Sequence, residues 1–263
     1  MNDSLSISTD GLTKQYGDTT AVSDLNLDIP RGSIYGFLGP NGAGKTTTIQ
    51  MLTALTQPTN GTGAIVGQPI TDRTAVIPHI GYLPESPPIY DELTAREQLE
   101  YHGGLRDMEP TDIKSRIEEL LDRFDLAADA DSRISTYSKG MKQKTGLIQA
   151  LMHDPDVVIL DEPTSGLDPR AARTVRDTIT ELAAGDTTVF LSTHILPVVA
   201  DLATEVGILY EGELVAEGPP EELTDRLETG GDSTLEDVFL DVTTEDAYET
   251  NESAPDTGMR QSE

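Results

Sequence analysis

The chain has 263 residues, of which 18 are basic and 47 acidic, giving a formal net charge of −29. Such a charge repels phosphate backbones, so a nucleic-acid partner is excluded and any phosphate must be held by a local arrangement. With no cysteine, neither a disulfide framework nor a thiolate metal site is available.

The opening MNDSLSISTD has no basic n-region and no apolar core, and no window reaches the roughly 18 continuous apolar residues of a membrane span. A cytoplasmic protein is expected, with any membrane spans supplied by another chain. LSIST and AVSDLNLDI alternate in polarity and are broken by Gly11, Gly17 and Pro30, which predicts short antiparallel strands at a sheet edge. SIYGFLGP reads as a buried strand, and GPNGAGKTTTIQMLTAL turns into a helix with Ile49, Leu52 and Leu55 on one face.

Residues 87–153 change to a helical character: Thr94 and Glu97 form a capping box, and Ile113, Ile117, Leu120, Leu121 and Phe124 recur at helical spacing. VVIL, ending at Asp161, has the continuous apolar character of a central strand covered on both faces. A helix follows from Pro169, capped by Asp168 and stopped by Gly185. TTVFLST is another buried strand, and GILYEGELVAEG a hairpin turning at Glu211 and Gly212. EGPPEELTDRL and STLEDVFLDVT predict a short helical extension whose Leu235, Val238 and Phe239 pack on the core or on a second copy. One domain is therefore expected over 1–241, with a helical subdomain at about 87–153 and a disordered acidic tail over 242–263.

The chemistry concentrates in GPNGAGKT, which satisfies G-x-x-x-x-G-K-[ST] with Gly39, Gly44, Lys45 and Thr46 between a strand and a helix. Such a loop curls its backbone amides around a polyphosphate, with the helix N-terminus adding partial positive charge. Lys45 reaches the β- and γ-phosphates and the Thr46 hydroxyl is placed for Mg²⁺. Asp161, at the carboxyl end of its strand, is a second holder of the metal. Glu162 beside it can orient or deprotonate the attacking water, or else merely start a helix before Pro163.

In order along about residues 5–240, Tyr16, GPNGAGKT, GYLPE ending at Glu85, YSKGM, VVILDEP, SGLDP and His194 resemble the ATP-binding subunit of an ABC transporter. The resemblance implies an α/β fold: a P-loop NTPase core with a mostly parallel sheet, an N-terminal antiparallel β part and the inserted helical subdomain. It implies that Tyr16 stacks on adenine and that Gly39, Pro40, Asn41, Gly42, Ala43, Gly44, Lys45, Thr46 and Thr47 hold the phosphates. Thr46, Glu85 and Asp161 hold Mg²⁺, Glu162 is the base, and His194 senses the γ-phosphate. Ser138 and Gly140 of the signature, with Asp168, meet the ATP of a second subunit placed head to tail.

Against the family's LSGGQ over 137–141 the chain departs at Tyr137, Lys139 and Met141, and Glu85 stands where glutamine is usual. KGMKQK resembles the variant of exporters served by separate ABC-2 type permeases. ATP-driven export of an unspecified substrate through such a permease is expected, from a position on the inner face of the membrane. The acid-rich surface, with arginine outnumbering lysine, resembles that of high-salt proteins. A soluble ATPase of the same fold serving cofactor assembly is the alternative. A GTPase is disfavoured by the lack of an Asn-Lys-x-Asp guanine reader.

Overall fold

A computed structural model describes residues 4–225 and 234–249. Strands β1 (Leu5–Tyr16) and β2 (Thr19–Pro30) form a long hairpin. Gly11 therefore does not end a strand as expected; it sits at a register shift between Thr9 and Leu12, where the extra residue is absorbed as a bulge. β3 (Ile34–Leu38) leads into α1 (Lys45–Leu52). Helix α1 ends before Leu55, which is 52% exposed instead of sharing the buried face of Ile49 and Leu52. The cause is Ala54, whose positive φ of 54° turns the chain out of the helix.

β4 (Asn60–Ile65), β5 (Gln68–Pro69) and the short α2 (Arg73–Val76) precede β6 (Ile80–Leu83). The helical insertion contains α3 (Ala95–Leu105), α4 (Pro110–Arg123) and α5 (Lys139–Leu151). Both halves of the Thr94–Glu97 capping box are made, an arrangement that stabilises a helix end by about 1 kcal/mol. The five apolar residues from Ile113 to Phe124 are all buried, as their spacing predicts. β7 (Val157–Asp161), α6 (Pro169–Ala184), β8 (Thr188–Ser192), α7 (Leu196–Leu202), β9 (Glu205–Tyr210), β10 (Glu213–Gly218), α8 (Pro220–Asp225) and α9 (Leu235–Glu249) complete the described chain.

Two sheets result, β2-β1-β4-β5 antiparallel and β10-β9-β3-β8-β7-β6, in which only the edge strand β10 runs against its neighbour. In β7 alternate side chains go to opposite cores. Val157 and Ile159 pack under the antiparallel sheet with α1, and Val158 and Leu160 pack with the helical insertion. Both faces of the large sheet are thereby covered. Leu235 and Val238 of α9 are buried on that second core, with Phe239 and Val242 packed against it, so the extension docks on its own chain. Helix α9 runs to Glu249, past residue 241, where the domain was expected to stop; residues 250–263 of the expected tail lie outside the described residues. Among the described residues no helix is long and apolar enough to cross a membrane.

Candidate functional site

Parallel strands deliver their carboxyl ends to one edge of the sheet. In the order β3, β8, β7 and β6 those ends present Gly39, Thr193 with His194, Asp161 with Glu162, and Glu85.

The glycine loop from β3 to α1 is clamped from outside. A side chain on Gly39 would come 2.4 Å from the Leu209 carbonyl oxygen, and one on Gly44, at φ 109°, 2.3 Å from that of Ala21. Gly42 has open space instead, so the glycines at 39 and 44 are required by the protein behind the loop as well as by what lies in front. The β9–β10 turn joins this clamp: Gly212 N–H donates to Ala43 O at 2.9 Å, while Ser23 N–H donates to Gly212 O at 2.8 Å. α1 begins with no side-chain cap and no acidic residue in its first turn, in a chain with 47 acids. Its N-terminal amides are thus left for an anion. Thr46 is exposed on this turn, and Thr47 is half-buried.

Lys45 is buried, its ammonium donating to Gly39 O at 2.6 Å and Pro40 O at 3.1 Å. Burial lowers its pKa, and the charges of Glu162 and Asp161 work against that. Asp161 is buried too; burial raises its pKa, the charges of Glu162 and Glu85 add to the rise, and Lys45 opposes it. Tyr82 on β6 is pushed up to about 12 by burial and by the Asp161 carboxylate. Lys45, Asp161, Glu162 and Glu85 therefore act on one another electrostatically, three acids to one cation, although among the described residues no three acidic or histidine side chains are grouped closely enough to hold a metal by themselves.

Glu162 holds a backbone φ of +49°, costly for any side chain and more so before Pro163. The conformation is fixed by Glu162 N–H donating to Ser192 O at 2.8 Å and by Ser165 N–H donating to the Glu162 carbonyl at 3.1 Å. Strain of this kind persists only where the surroundings impose it, and it clusters at working sites. Its carboxylate is gripped by the loop after β8. Oε1 accepts from His194 N–H at 2.9 Å and from His194 Nδ1 at 2.7 Å, and Oε2 accepts from Thr193 Oγ1 at 2.9 Å. A carboxylate is an acceptor only, so Nδ1 carries the proton, and Oε2 keeps a lone pair for a further donor such as water. Thr193, which holds Glu162, went unnoticed in the sequence; a lone threonine between a strand and a histidine has no periodic or spacing signal.

The remaining residues lie elsewhere. Tyr16 ends β1 half-exposed, with the Lys14 ammonium 5.0 Å from its ring centroid. Ser138 caps α5, its hydroxyl accepting from Met141 N–H at 3.2 Å. Gly140 packs against the start of α6, where a side chain would come 3.1 Å from Ala171 Cβ and 3.8 Å from Asp168 Oδ2. Asp168 Oδ1 accepts from Arg170 N–H at 2.9 Å and Ala171 N–H at 3.1 Å, which lowers its pKa. No hydrogen bond among the described residues links positions 138–140 to the glycine loop. The residues expected at the site thus fall in two groups, the glycine loop with Asp161, Glu162 and His194, and Ser138 with Gly140 and Asp168.

A family model described as "ABC transporter" matches residues 22–165. The chain belongs to the ABC transporter family, as an ATP-binding domain. It is 40% identical over 227 residues to the daunorubicin resistance ATP-binding protein of Streptomyces coeruleorubidus, covering 86% of this chain and 71% of that one. To the bacitracin transport ATP-binding protein of Bacillus licheniformis it is 41% identical over 222 residues, covering 84% of this chain and 72% of the other. A solved structure of the ATP-binding subunit of an ABC transporter superposes with a TM-score of 0.82 at 29% identity, over 90% of this chain and 98% of that one. The expected α/β ATPase fold, with antiparallel part and helical insertion, is the fold of this family.

Proposed function

We propose that this domain hydrolyses ATP to power export through a separate membrane permease of the ABC-2 type, working as a pair of subunits placed head to tail. The observation that carries the hydrolytic half is the grip of Thr193 and His194 on Glu162, one residue from Asp161 and within the field of Lys45. Lys45 and the amides of α1 bind the phosphates, and Tyr16 offers its ring to adenine. Thr46, Asp161 and Glu85 would hold Mg²⁺, which supplies neutralisation of the charge spread over the β- and γ-phosphate oxygens. Glu162 orients water through Oε2 and takes its proton. His194, bonded to the same carboxylate, ties the base to the loop that faces the γ-phosphate.

The second group supports the pairing. Ser138 and Gly140 stand at the N-terminus of α5, which has no acidic residue in its first turn. Two copies facing each other bring this helix end to the other's nucleotide. For coupling to the permease, a cavity of about 380 Å³ lies between Leu55, Arg73, Ile80, Tyr82, Pro84, Pro88, His102 and Arg106. Its lining comes from the turn after α1 and from α2, β6, α3 and α5, so a segment seated in it would touch both the core and the helical insertion. Burial and the charge of Arg106 lower His102 to about 4, so Arg73 and Arg106 supply the positive charge of this groove. The names of the relatives, drug resistance and bacitracin transport, support export over cofactor assembly. The domain is then peripheral to the membrane, and its acid-rich surface suits a salt-rich cytoplasm.

Two measurements test this function. Expressed with an ABC-2 type permease from the same source, the full chain is expected to co-purify with it and to hydrolyse ATP only when Mg²⁺ is present; a chain recovered alone, and inactive with and without Mg²⁺, would overturn the proposal. Glu85, exposed and adding negative charge near Asp161, is expected to favour Mg²⁺. Glu85→Gln then raises the half-saturating Mg²⁺ concentration roughly two- to threefold, the scale of one exposed charge; an unchanged Mg²⁺ titration would remove Glu85 from the metal site.

A further inference from the structure

Tyr16 ends β1 with 48% of its surface exposed, and a side chain so placed turns freely among its rotamers unless something holds it. What holds it is Lys14, whose ammonium stands over one face of the ring, 5.0 Å from the centroid. The same ammonium donates to Gln57 O at 2.7 Å. In a chain with 47 acids Lys14 makes no ion pair among the described residues, so the ring and this one carbonyl are its partners.

Gln57 belongs to the loop that follows α1, and two further bonds lace this loop to the end of β1. Thr59 N–H donates to Thr13 O at 2.8 Å, and Gln15 N–H donates to Thr59 Oγ1 at 3.1 Å. Helix α1 begins at Lys45 in the glycine loop and its far end leads to Gln57, so the tether sets the Tyr16 ring at a fixed offset from the amides that receive phosphate. A cation over a phenol has an electronic effect as well. It draws π-density toward itself, and the opposite face of the ring then meets a stacked, electron-rich base with less repulsion.

We propose that Lys14 is a positioning residue for the adenine of ATP: it holds the Tyr16 ring by one face and leaves the other face for the base. This rests on the stacking of adenine on Tyr16 proposed above. Lys14 itself does not touch the nucleotide. Through Gln57 it indexes the ring to the helix whose N-terminus binds the phosphates, so base and triphosphate are engaged together. Its contribution is therefore confined to ligands that carry a base, whereas a lysine that only stapled β1 to the loop would serve every phosphate ligand alike.

The test measures the affinity of the full chain for MgATP and for magnesium tripolyphosphate, which has the phosphates without a base, by calorimetric titration. Lys14→Met removes the charge and keeps the stem; it is expected to weaken ATP about fivefold, the value of a cation on an exposed ring, and to leave tripolyphosphate unchanged. Lys14→Arg, whose guanidinium can cover the ring and still donate, is expected to bind ATP within about twofold of the unaltered chain. In a Tyr16→Ala background, adding Lys14→Met weakens ATP no further, because the two residues act through one contact. Unchanged ATP affinity in Lys14→Met, or an equal loss for ATP and tripolyphosphate, would overturn the role of Lys14 while leaving Tyr16 as the adenine platform. If Tyr16→Ala loses no more affinity for ATP than for tripolyphosphate, the stacking and this role fall together.

Discussion

Lys45→Ala is expected to lose ATP binding by a factor of about 10²–10⁴, two charged hydrogen bonds at roughly 1.5–3 kcal/mol each. The Lys45 ammonium is held by Gly39 O and Pro40 O, two carbonyls of its own loop. It is therefore prepositioned where phosphate arrives, and exchange of two neutral acceptors for anionic oxygens strengthens both contacts. Burial opposes the charged form of Lys45, and the carboxylates of Glu162 and Asp161 offset that cost. Alanine removes the cation and leaves these two carboxylates facing the triphosphate uncompensated, so repulsion adds to the lost attraction. Equilibrium titration with a fluorescent ATP analogue measures the effect, with circular dichroism checking that the loop's loss of two internal hydrogen bonds has not unfolded the chain. A folded variant whose affinity falls less than threefold would remove Lys45 from the phosphate site.

The legible parts of this fold are those where one physical signal acts alone. The capping box at Thr94, the helical spacing from Ile113 to Phe124, and VVIL as a doubly covered strand all depend on local pattern, and each stands in the structure as its pattern dictates. The hairpin at Glu211 and Gly212 was likewise visible, since both residues take positive φ. What escaped depends on distant partners. Gly11 is a bulge within one long strand because β2 and β4 continue the ladder on either side of it. Leu55 follows the helical spacing of Ile49 and Leu52, yet Ala54 ends the regularity one turn early. At the site, residue types located the glycine loop, Asp161 and Glu162, and the family resemblance pointed to His194, but neither gave the reason Gly39 and Gly44 are glycines, which lies in Leu209 and Ala21 behind the loop. Nor did composition distinguish Lys139 from Lys142, which pairs with Asp91, or from Lys144, which donates to Phe124 O.

Glu162→Gln is expected to cut ATP turnover by about 10²–10⁴-fold, the usual contribution of a positioned general base, while leaving nucleotide binding intact. The substitution is nearly neutral for the fold because the amide can meet the same partners. Its oxygen accepts from His194 N–H and Nδ1–H as Oε1 does, and its NH₂ group faces the Thr193 hydroxyl, which has lone pairs to receive it although it already accepts from Ile195 N–H at 3.1 Å. The strained backbone at residue 162 is held by main-chain bonds to Ser192 and Ser165 that the side chain does not touch. What disappears is proton acceptance, since an amide oxygen cannot take the proton of an attacking water. The negative charge opposite the γ-phosphate also disappears, and with it a repulsion that favours separation of the two subunits. Turnover therefore falls while the ATP-loaded pair lives longer, and rate and sedimentation should move in opposite directions in one sample. A variant that hydrolyses ATP within tenfold of the unaltered chain would show that Glu162 serves only to anchor the His194 loop, and the proton would have to leave by way of another group.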